Sequence, residues 1–336
     1  MLFMGAVWHS IHILAVRFQN DLRATLAPSP TLERPTCDRC GSGNVVQNGR
    51  WHNRSGALAR YLCQTCGRRF TGHDGYQKRR ANPEKIALVL DLYFRGLSLR
   101  KVADHFRQVY GLRVYPMTVY RWIAHYSALA GECMDAQGVR VEEQWHANET
   151  VVNMDGEPRY LWNVMDARTR FLLATHISRT RSLGNTRRPL QKAKQATADR
   201  LTEVLTDGMM AYPLAVSKEL GKMGGPKGYT NLHRRVPSIR APESNNRIER
   251  LHETEKERTK VVRAFDNEGG TAMITEGFRV HYNLVKPHMA FDGQTQGDAA
   301  GVSLTDGFRW KAILDAAITR EVTVADESEG QVKSPD

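Results

Sequence analysis

Trp145-His146-Ala147-Asn148-Glu149-Thr150-Val151-Val152-Asn153-Met154 is followed by Asp155-Gly156-Glu157-Pro158 and then by Tyr160-Leu161-Trp162-Asn163-Val164-Met165. Two runs rich in β-branched and aromatic residues, joined by a turn bearing Gly and Pro, read as two strands of a hairpin. A second turn, Asp166-Ala167-Arg168-Thr169, leads into a third strand over 171–177. Beyond it the pattern changes. Residues 184–199 read as a polar helix or loop, 204–206 as a short buried strand and 211–220 as a helix, with further helices over about 244–262 and 270–282. A run of strands that gives way to strand–helix alternation predicts an α/β domain, a mixed sheet layered with helices, over 140–302.

Upstream of this domain the chain is strongly basic. From Arg39 to Ala130 there are sixteen Lys and Arg against four acids, an excess equal to the +12 of the entire 336-residue chain. A positive charge confined to one region is the footprint of nucleic-acid binding, or else a solvated face with no partner. Residues 1–16 are apolar but interrupted by His9, Ser10 and His12 and lack a basic leader. They are too short to span a bilayer and do not read as a signal peptide, so residues 1–35 are an extension of unknown role. A reducing, cytoplasmic setting, with association to a prokaryotic nucleoid and no membrane, is the expectation. Residues 303–336 form a tail whose polar, acidic end is expected to be disordered.

Four of the five cysteines form two pairs, Cys37-Asp38-Arg39-Cys40 and Cys63-Gln64-Thr65-Cys66, and Cys133 stands alone. Each Cys-x-x-Cys turns tightly enough to aim two thiolates at one ion, and four thiolates give Zn²⁺ a closed tetrahedral shell. Gly41 and Gly67 follow the pairs where such a turn needs a positive φ. A structural zinc ribbon is therefore expected over 36–75, with the metal supplying folding energy that so small a segment lacks. Between the knuckles Arg50, Trp51, His52, Arg54, Arg60 and Tyr61 interleave basic and aromatic residues. Trp51 and Tyr61 either lie against DNA or fill the miniature core.

Residues 82–131 have the rhythm of three helices. Pro83 opens the first, whose Ile86, Val89, Leu90 and Tyr93 share a face, and Gly96 stops it. Ser98 caps a second helix with Val102, Ala103 and Phe106 inward, and Gly111 ends it. Pro116 begins a third helix with Val119, Trp122, Ile123 and Tyr126 inward. This is the pattern of a helix-turn-helix with the third helix as reader, or of a generic three-helix bundle; the local charge favours DNA. Thr118, Tyr120 and Arg121 are then the groove-facing candidates, with Arg100 and Lys101 as neighbouring cations.

Two carboxylates stand out in the α/β domain. Asp207 ends the short apolar strand in Val204-Leu205-Thr206-Asp207-Gly208, where chemistry collects in open α/β sheets. Glu249 lies in Asn245-Asn246-Arg247-Ile248-Glu249-Arg250-Leu251-His252 on a basic helix. Two-metal nucleases use about three such groups, from different elements, to hold two Mg²⁺.

These stretches together resemble the insertion-sequence DDE transposases of the IS-six type. The opening Trp145-His146-Ala147-Asn148-Glu149-Thr150 with Tyr160-Leu161-Trp162 and Asp166 is similar to that family's first strands. Thr206-Asp207-Gly208 with Ala211-Tyr212 is similar to its second motif, and 245–252 followed by Arg258-Thr259-Lys260 to its third. Tyr282-Asn283 and His288 resemble its tail. The likeness runs from about residue 37 to 302. It implies an RNase H-like core behind the ribbon and helix-turn-helix, binding of transposon terminal repeats and target DNA, assembly as a homo-oligomer on DNA, and Mg²⁺-dependent strand cleavage and transfer.

The resemblance also implies catalytic residues at positions 148, 207 and 249, and here the first is Asn148 where the family has Asp. Asn brings an oxygen but no charge. Glu149 points to the opposite face of its strand, and Asp155 sits in the hairpin turn. Thr295-Gln296 also departs from the family's Thr-Pro, and the stretch 221–228 reads as an insertion. The expectation is a transposase with catalysis impaired at Asn148, with Asp207 and Glu249 left as magnesium ligands. The alternative is a catalytically inactive, transposase-derived DNA-binding protein or regulator.

Overall fold

A computed structural model of the chain describes residues 35–37, 39–53, 56–71, 82–141, 144–154, 156–197, 203–221, 223–225, 228–230, 232–236, 245–261, 268–302, 304 and 307–331. The extension over 1–34 and Asp155 lie outside the described residues. The chain divides into two units, Met1–Arg80 and Ala81–Asp336.

In the first unit, β1 (Val45–Asn53), β2 (Gly56–Cys63) and β3 (Arg69–Thr71) form an antiparallel sheet in that order. Val45, Phe70 and the buried thiols of Cys37 and Cys63 make its small core. Tyr61 packs against that core, its ring 5.9 Å from Phe70. The side chain of Trp51 is outside the described residues.

The second unit begins with three helices whose boundaries follow the local chemistry. Asn82 caps α1 (Pro83–Phe94) by accepting the Glu84 N–H at 2.7 Å. Ser98 caps α2 (Leu99–Tyr110), which ends on Gly111 in the left-handed region. Pro116 occupies the first position of α3 (Pro116–Asp135). Ile86, Val89, Leu90, Tyr93, Val102, Phe106, Val119, Ile123 and Tyr126 are buried as the periodicity requires, whereas Trp122 is only half-buried.

The α/β core is a five-stranded mixed sheet. Its strands are β4 (Gln144–Met154), β5 (Glu157–Asp166), β6 (Leu172–Ser178), β7 (Glu203–Thr206) and β10 (His233–Arg235). The order is β10-β7-β4-β5-β6, with β4, β5 and β6 antiparallel and β7 and β10 parallel to β4. Three antiparallel strands extended by two parallel ones in this order make an RNase H-like core. Between β7 and β10 come α5 (Tyr212–Glu219) and a hairpin, β8 (Met223–Gly225) with β9 (Gly228–Thr230), which occupies the stretch read as an insertion. Helix α4 (Leu183–Ala196) precedes β7, and α6 (Asn246–Val261) and α7 (Glu268–Val280) follow β10. A π-turn, His281–Val285, continues α7, and the short α8 (Gln296–Ala299) comes after it.

The helical segment and the core are built into one another. Arg279 of α7 is buried and donates to Asp135 of α3 at 2.7 Å, to Glu276 and to the Leu173 carbonyl of β6 at 3.1 Å. Burial works against this cation, yet the two carboxylates hold it charged, with its pKa raised. Phe94 of α1 stacks on His281 and on Trp310 at 6.0 and 5.6 Å. Trp310 belongs to α9 (Arg309–Gln331), which runs through most of the expected tail and buries Trp310, Ile313, Leu314, Ala317 and Ile318. Most of a tail expected to end in disorder is thus a helix, because its apolar residues recur at helical spacing before the acidic end begins. No helix among the described residues is long and apolar enough to cross a membrane.

Candidate functional site

Two places carry chemistry. In the ribbon unit, the Sγ atoms of Cys37 and Cys66 are 3.5 Å apart and those of Cys40 and Cys63 are 3.6 Å apart. All four lie within 4.8 Å of one another, and none is in a disulfide. A tetrahedron of thiolates around zinc, with Zn–S near 2.3 Å, sets sulfurs about 3.8 Å apart, so the cluster fits the ion. The two knuckles are built alike. The Gly41 N–H donates to the Cys37 carbonyl and the Gly67 N–H to the Cys63 carbonyl, both at 2.9 Å, and both glycines have φ near +70° (67° and 71°).

In the core, β4 and β5 meet α6 across a buried polar layer. His146 Nδ1 lies 2.8 Å from Asn245 Oδ1, which pins the start of α6 to β4, and Arg247 donates to the Ala167 carbonyl beyond β5. Burial depresses the basicity of His146, which favours its neutral form. So fixed, α6 brings Glu249 to Asn148: the Asn148 Nδ2 donates to Glu249 Oε1 at 2.6 Å. The Glu149 backbone N–H donates to Asn148 Oδ1 at 2.9 Å, so the amide can only be oriented with its N–H toward the carboxylate. His252, buried one turn along α6, places Nδ1 3.5 Å from Glu249 Oε2. The Glu249 carboxyl is held below its usual range, chiefly by His252, with the Asn148 bond adding to this and burial opposing it.

Asp207 follows β7. The parallel register pairs His146 of β4 with Leu205, two residues before Asp207. Its Oδ1 accepts the Met209 N–H at 3.2 Å. Gly208 next to it has φ +99°, and a Cβ there would lie 2.2 Å from Arg235 Nε. The missing side chain lets the Arg235 guanidinium lie over the turn beside Asp207. Glu149, on the other face of β4, accepts the Tyr212 hydroxyl at 3.0 Å and meets Arg181 at 3.6 Å. Burial raises its pKa, and the charge of Asp207 raises it further.

The sequence-derived candidates thus fall into three groups. Asn148 and Glu249 are in contact, and Asp207 stands at the adjacent strand end. The four cysteines converge. Arg100, Lys101 and Arg121 are exposed on the helical segment, while Thr118 and Tyr120 are half-buried. The tail residues are structural ties. Asn283 is fully buried and exchanges bonds with the Leu172 backbone, from N–H at 2.8 Å and to C=O at 2.9 Å. His288 Nε2 lies 3.1 Å from Arg170 Nη1. Sequence reasoning missed His252, Arg235 and the buried pair Asn163–Glu255; the one signal for Arg235 was the glycine after Asp207.

Among the described residues, the four cysteines are the only cluster of three or more His, Cys, Asp or Glu placed to hold an ion. In the core, Glu249 Oε1 takes the Asn148 N–H.

The structure thus pairs a mixed sheet of RNase H-like order with acids at positions 207 and 249. Residues 142–288 match a family model described as a DDE domain. Over 93 residues the chain is 26% identical to "Transposase for insertion sequence-like element IS431mec" of Staphylococcus aureus, and equally so to "Transposase for insertion sequence element IS257 in transposon Tn4003" from the same organism. Those 93 residues are 27% of this chain and 41% of each relative. Residues 142–288 thus resemble a DDE domain, and the chain spans about two fifths of the length of the insertion-sequence transposases it matches. Among solved structures, the magnesium-bound HTLV-2 integrase catalytic core domain, trimeric form, aligns with 49% of this chain and 99% of its own, at 10% identity and a TM-score of 0.36.

Proposed function

We propose that this chain is a DNA-binding protein of the transposase kind, whose ribbon and helix-turn-helix engage transposon terminal repeats and whose strand cleavage and transfer are impaired at Asn148. The observation that carries the second half is the 2.6 Å bond from Asn148 Nδ2 to Glu249 Oε1. Phosphoryl transfer in such cores rests on positioning and on electrostatic stabilisation by metal ions. Asp207 and Glu249 supply two negative charges where the family pattern supplies three. The amide N–H satisfies Glu249 internally in place of a cation.

The basic segment supports the first half. Arg100, Lys101 and Arg121 are exposed on a segment of three helices. Zinc held by Cys37, Cys40, Cys63 and Cys66 would order the ribbon. Self-association on DNA, and capture of target DNA, follow from this reading. A regulator that occupies terminal repeats without cutting them is the second reading, favoured by the same bond. Strand cleavage and transfer on labelled DNA carrying the inverted repeats that flank the gene, with Mg²⁺ or Mn²⁺, separate the two. Weak cleavage that Asn148→Asp raises by orders of magnitude supports an impaired transposase. Full activity of the unaltered chain refutes the impairment.

A further inference from the structure

The turn of the helical segment carries apolar side chains in water. Val109 and Tyr110 end α2, Tyr115 is the N-cap of α3, and Met117 is in its first turn; all four are exposed, Tyr115 at 65% and Met117 at 58%. Single exposed hydrophobics are ordinary, but these four fall within nine residues, at the end of α2 and the start of α3. The surroundings are one-signed. Between Asp104 and Glu132 the chain has no acid, while Arg107, Arg113 and Arg121 fall in that stretch. Asp104 itself is engaged by Arg107 and Gln108, both at 2.5 Å. Exposed apolar side chains in a stretch whose only charges are exposed arginines suit a nucleic-acid groove, where phosphates line the rim and methyl groups the floor.

Helix α3 fixes which residues can enter. Val119, Ile123 and Tyr126 face the core. Met117 and Arg121 are four apart, so they share the outward face one turn from each other, and both are exposed. Tyr115 makes no side-chain cap bond and stands at the tip. Thr118 and Tyr120, the polar candidates of the sequence, are half-buried to either side. Thymine is the one base whose major-groove edge bears a methyl group, and arginine is the usual partner of guanine O6 and N7. Four residues of helix rise about 6 Å, close to two base-pair steps of about 3.4 Å.

We propose that Met117, with Tyr115 beside it, reads a thymine methyl group in the major groove, and that Arg121 reads a guanine about two base pairs away. This rests on the reading of the helical segment as a DNA-binding module. These apolar side chains are then a specificity element, and the thymine is recognised by contact with its methyl rather than by hydrogen bonding from Thr118.

The test starts by selecting duplexes from a random-sequence pool with the full-length, zinc-loaded chain, then resynthesising the selected site with deoxyuridine in place of each thymidine in turn. Loss of one methyl at the contacted position should weaken binding about fourfold, the worth of one buried methyl-sized group. Met117→Ala should bind the thymidine and deoxyuridine duplexes equally, while Arg121→Ala keeps the methyl effect and loses discrimination at the guanine. Thermal melting identical to that of the parent would show that the variants are folded. The proposal is overturned if no deoxyuridine position weakens the parent, or if Met117→Ala keeps the parent's full methyl effect. It is also overturned if Met117→Ala alters the oligomeric state in light scattering and leaves DNA binding intact, since these side chains would then cover a second copy. Selection of no DNA at all would instead remove the DNA-binding reading itself, a different failure from these.

Discussion

Asn148 and Glu249, 101 residues apart in the chain, are joined by an amide-to-carboxylate hydrogen bond of 2.6 Å. The same geometry with a carboxylate at position 148 would face two negative oxygens across that gap, a contact that is stable only with a cation or a shared proton between them. Asn148→Asp therefore exchanges an internal bond for a metal requirement. In EDTA near pH 7 the substituted protein should melt several degrees lower. A hydrogen bond to a charged group contributes about 1.5–3 kcal/mol, and Glu249 is partly exposed, so about 1–2 kcal/mol is expected. Mg²⁺ should restore the melting temperature of the variant and leave that of the parent unchanged. The gain of Mg²⁺-dependent cleavage should be lost again on adding Asp207→Asn or Glu249→Gln. Calorimetry with and without Mg²⁺ checks the first part, and labelled terminal-repeat DNA the second. A variant that melts like the parent in EDTA would mean that the two side chains do not meet.

The four sulfurs within 4.8 Å of one another call for one Zn²⁺ per chain. Elemental analysis of reduced protein should find one zinc, and chelation should unfold the ribbon while the unit from Ala81 onward keeps its melting transition. Cys63→Ser should lower zinc content and mimic chelation. A zinc-free protein with an unchanged ribbon spectrum would contradict this assignment.

Much of this was legible in the sequence because the signals were local. Cys-x-x-Cys spacing, Pro83 and Pro116 at helix starts, Ser98 as a cap and the β-branched and aromatic runs of β4 and β5 with the turn between them each act over a few residues. What was not legible is long-range or weakly patterned. Strand β10 is His233-Arg234-Arg235, three polar residues with no apolar alternation, held as a strand only by pairing with β7. The role of Asn148 depends on α6, which arrives a hundred residues later. Even the opposite facing of Glu149, deduced from strand alternation, said nothing of its bond to Tyr212. Helix α9 was hidden because an acidic, polar end dominates the composition of the tail, while the aromatic and aliphatic residues that dock it come earlier.

DNA binding should separate from chemistry. Arg121→Ala, and joint replacement of Arg100 and Lys101 by Ala, should weaken binding to terminal-repeat DNA. Substitutions at Asn148 should leave it within twofold. Each lost phosphate contact lowers the log–log salt slope by about 0.9. Titrations from low to moderate KCl measure both quantities. Equal affinity and slope for a chain lacking residues 36–130 would show that DNA is held elsewhere.

Glu255 of α6 is buried at 3% exposure against Asn163 of β5, whose Nδ2 donates to its Oε2 at 2.8 Å. The Glu255 Oε1 has no hydrogen-bond partner, and burial pushes the carboxyl up to about 8. An unfolded glutamate titrates near 4.3, so between roughly 4.3 and 8 the folded chain binds a proton that the unfolded chain has released. Stability from this group is therefore fully present below about pH 4.3 and is lost as pH rises toward 8. His146, whose basicity burial depresses, contributes the opposite slope, so the comparison must be made against a variant. Glu255→Gln keeps the shape and the acceptor for Asn163 without the ionisation. Its melting temperature should match that of the parent near pH 5 and exceed it increasingly up to pH 8. Glu255→Ala should be less stable than the Gln variant at every pH, because it leaves a cavity and an unpaired Asn163 amide. Parallel melting curves for the parent and Glu255→Gln from pH 5 to 8 would show that Glu255 is ionised in the folded protein.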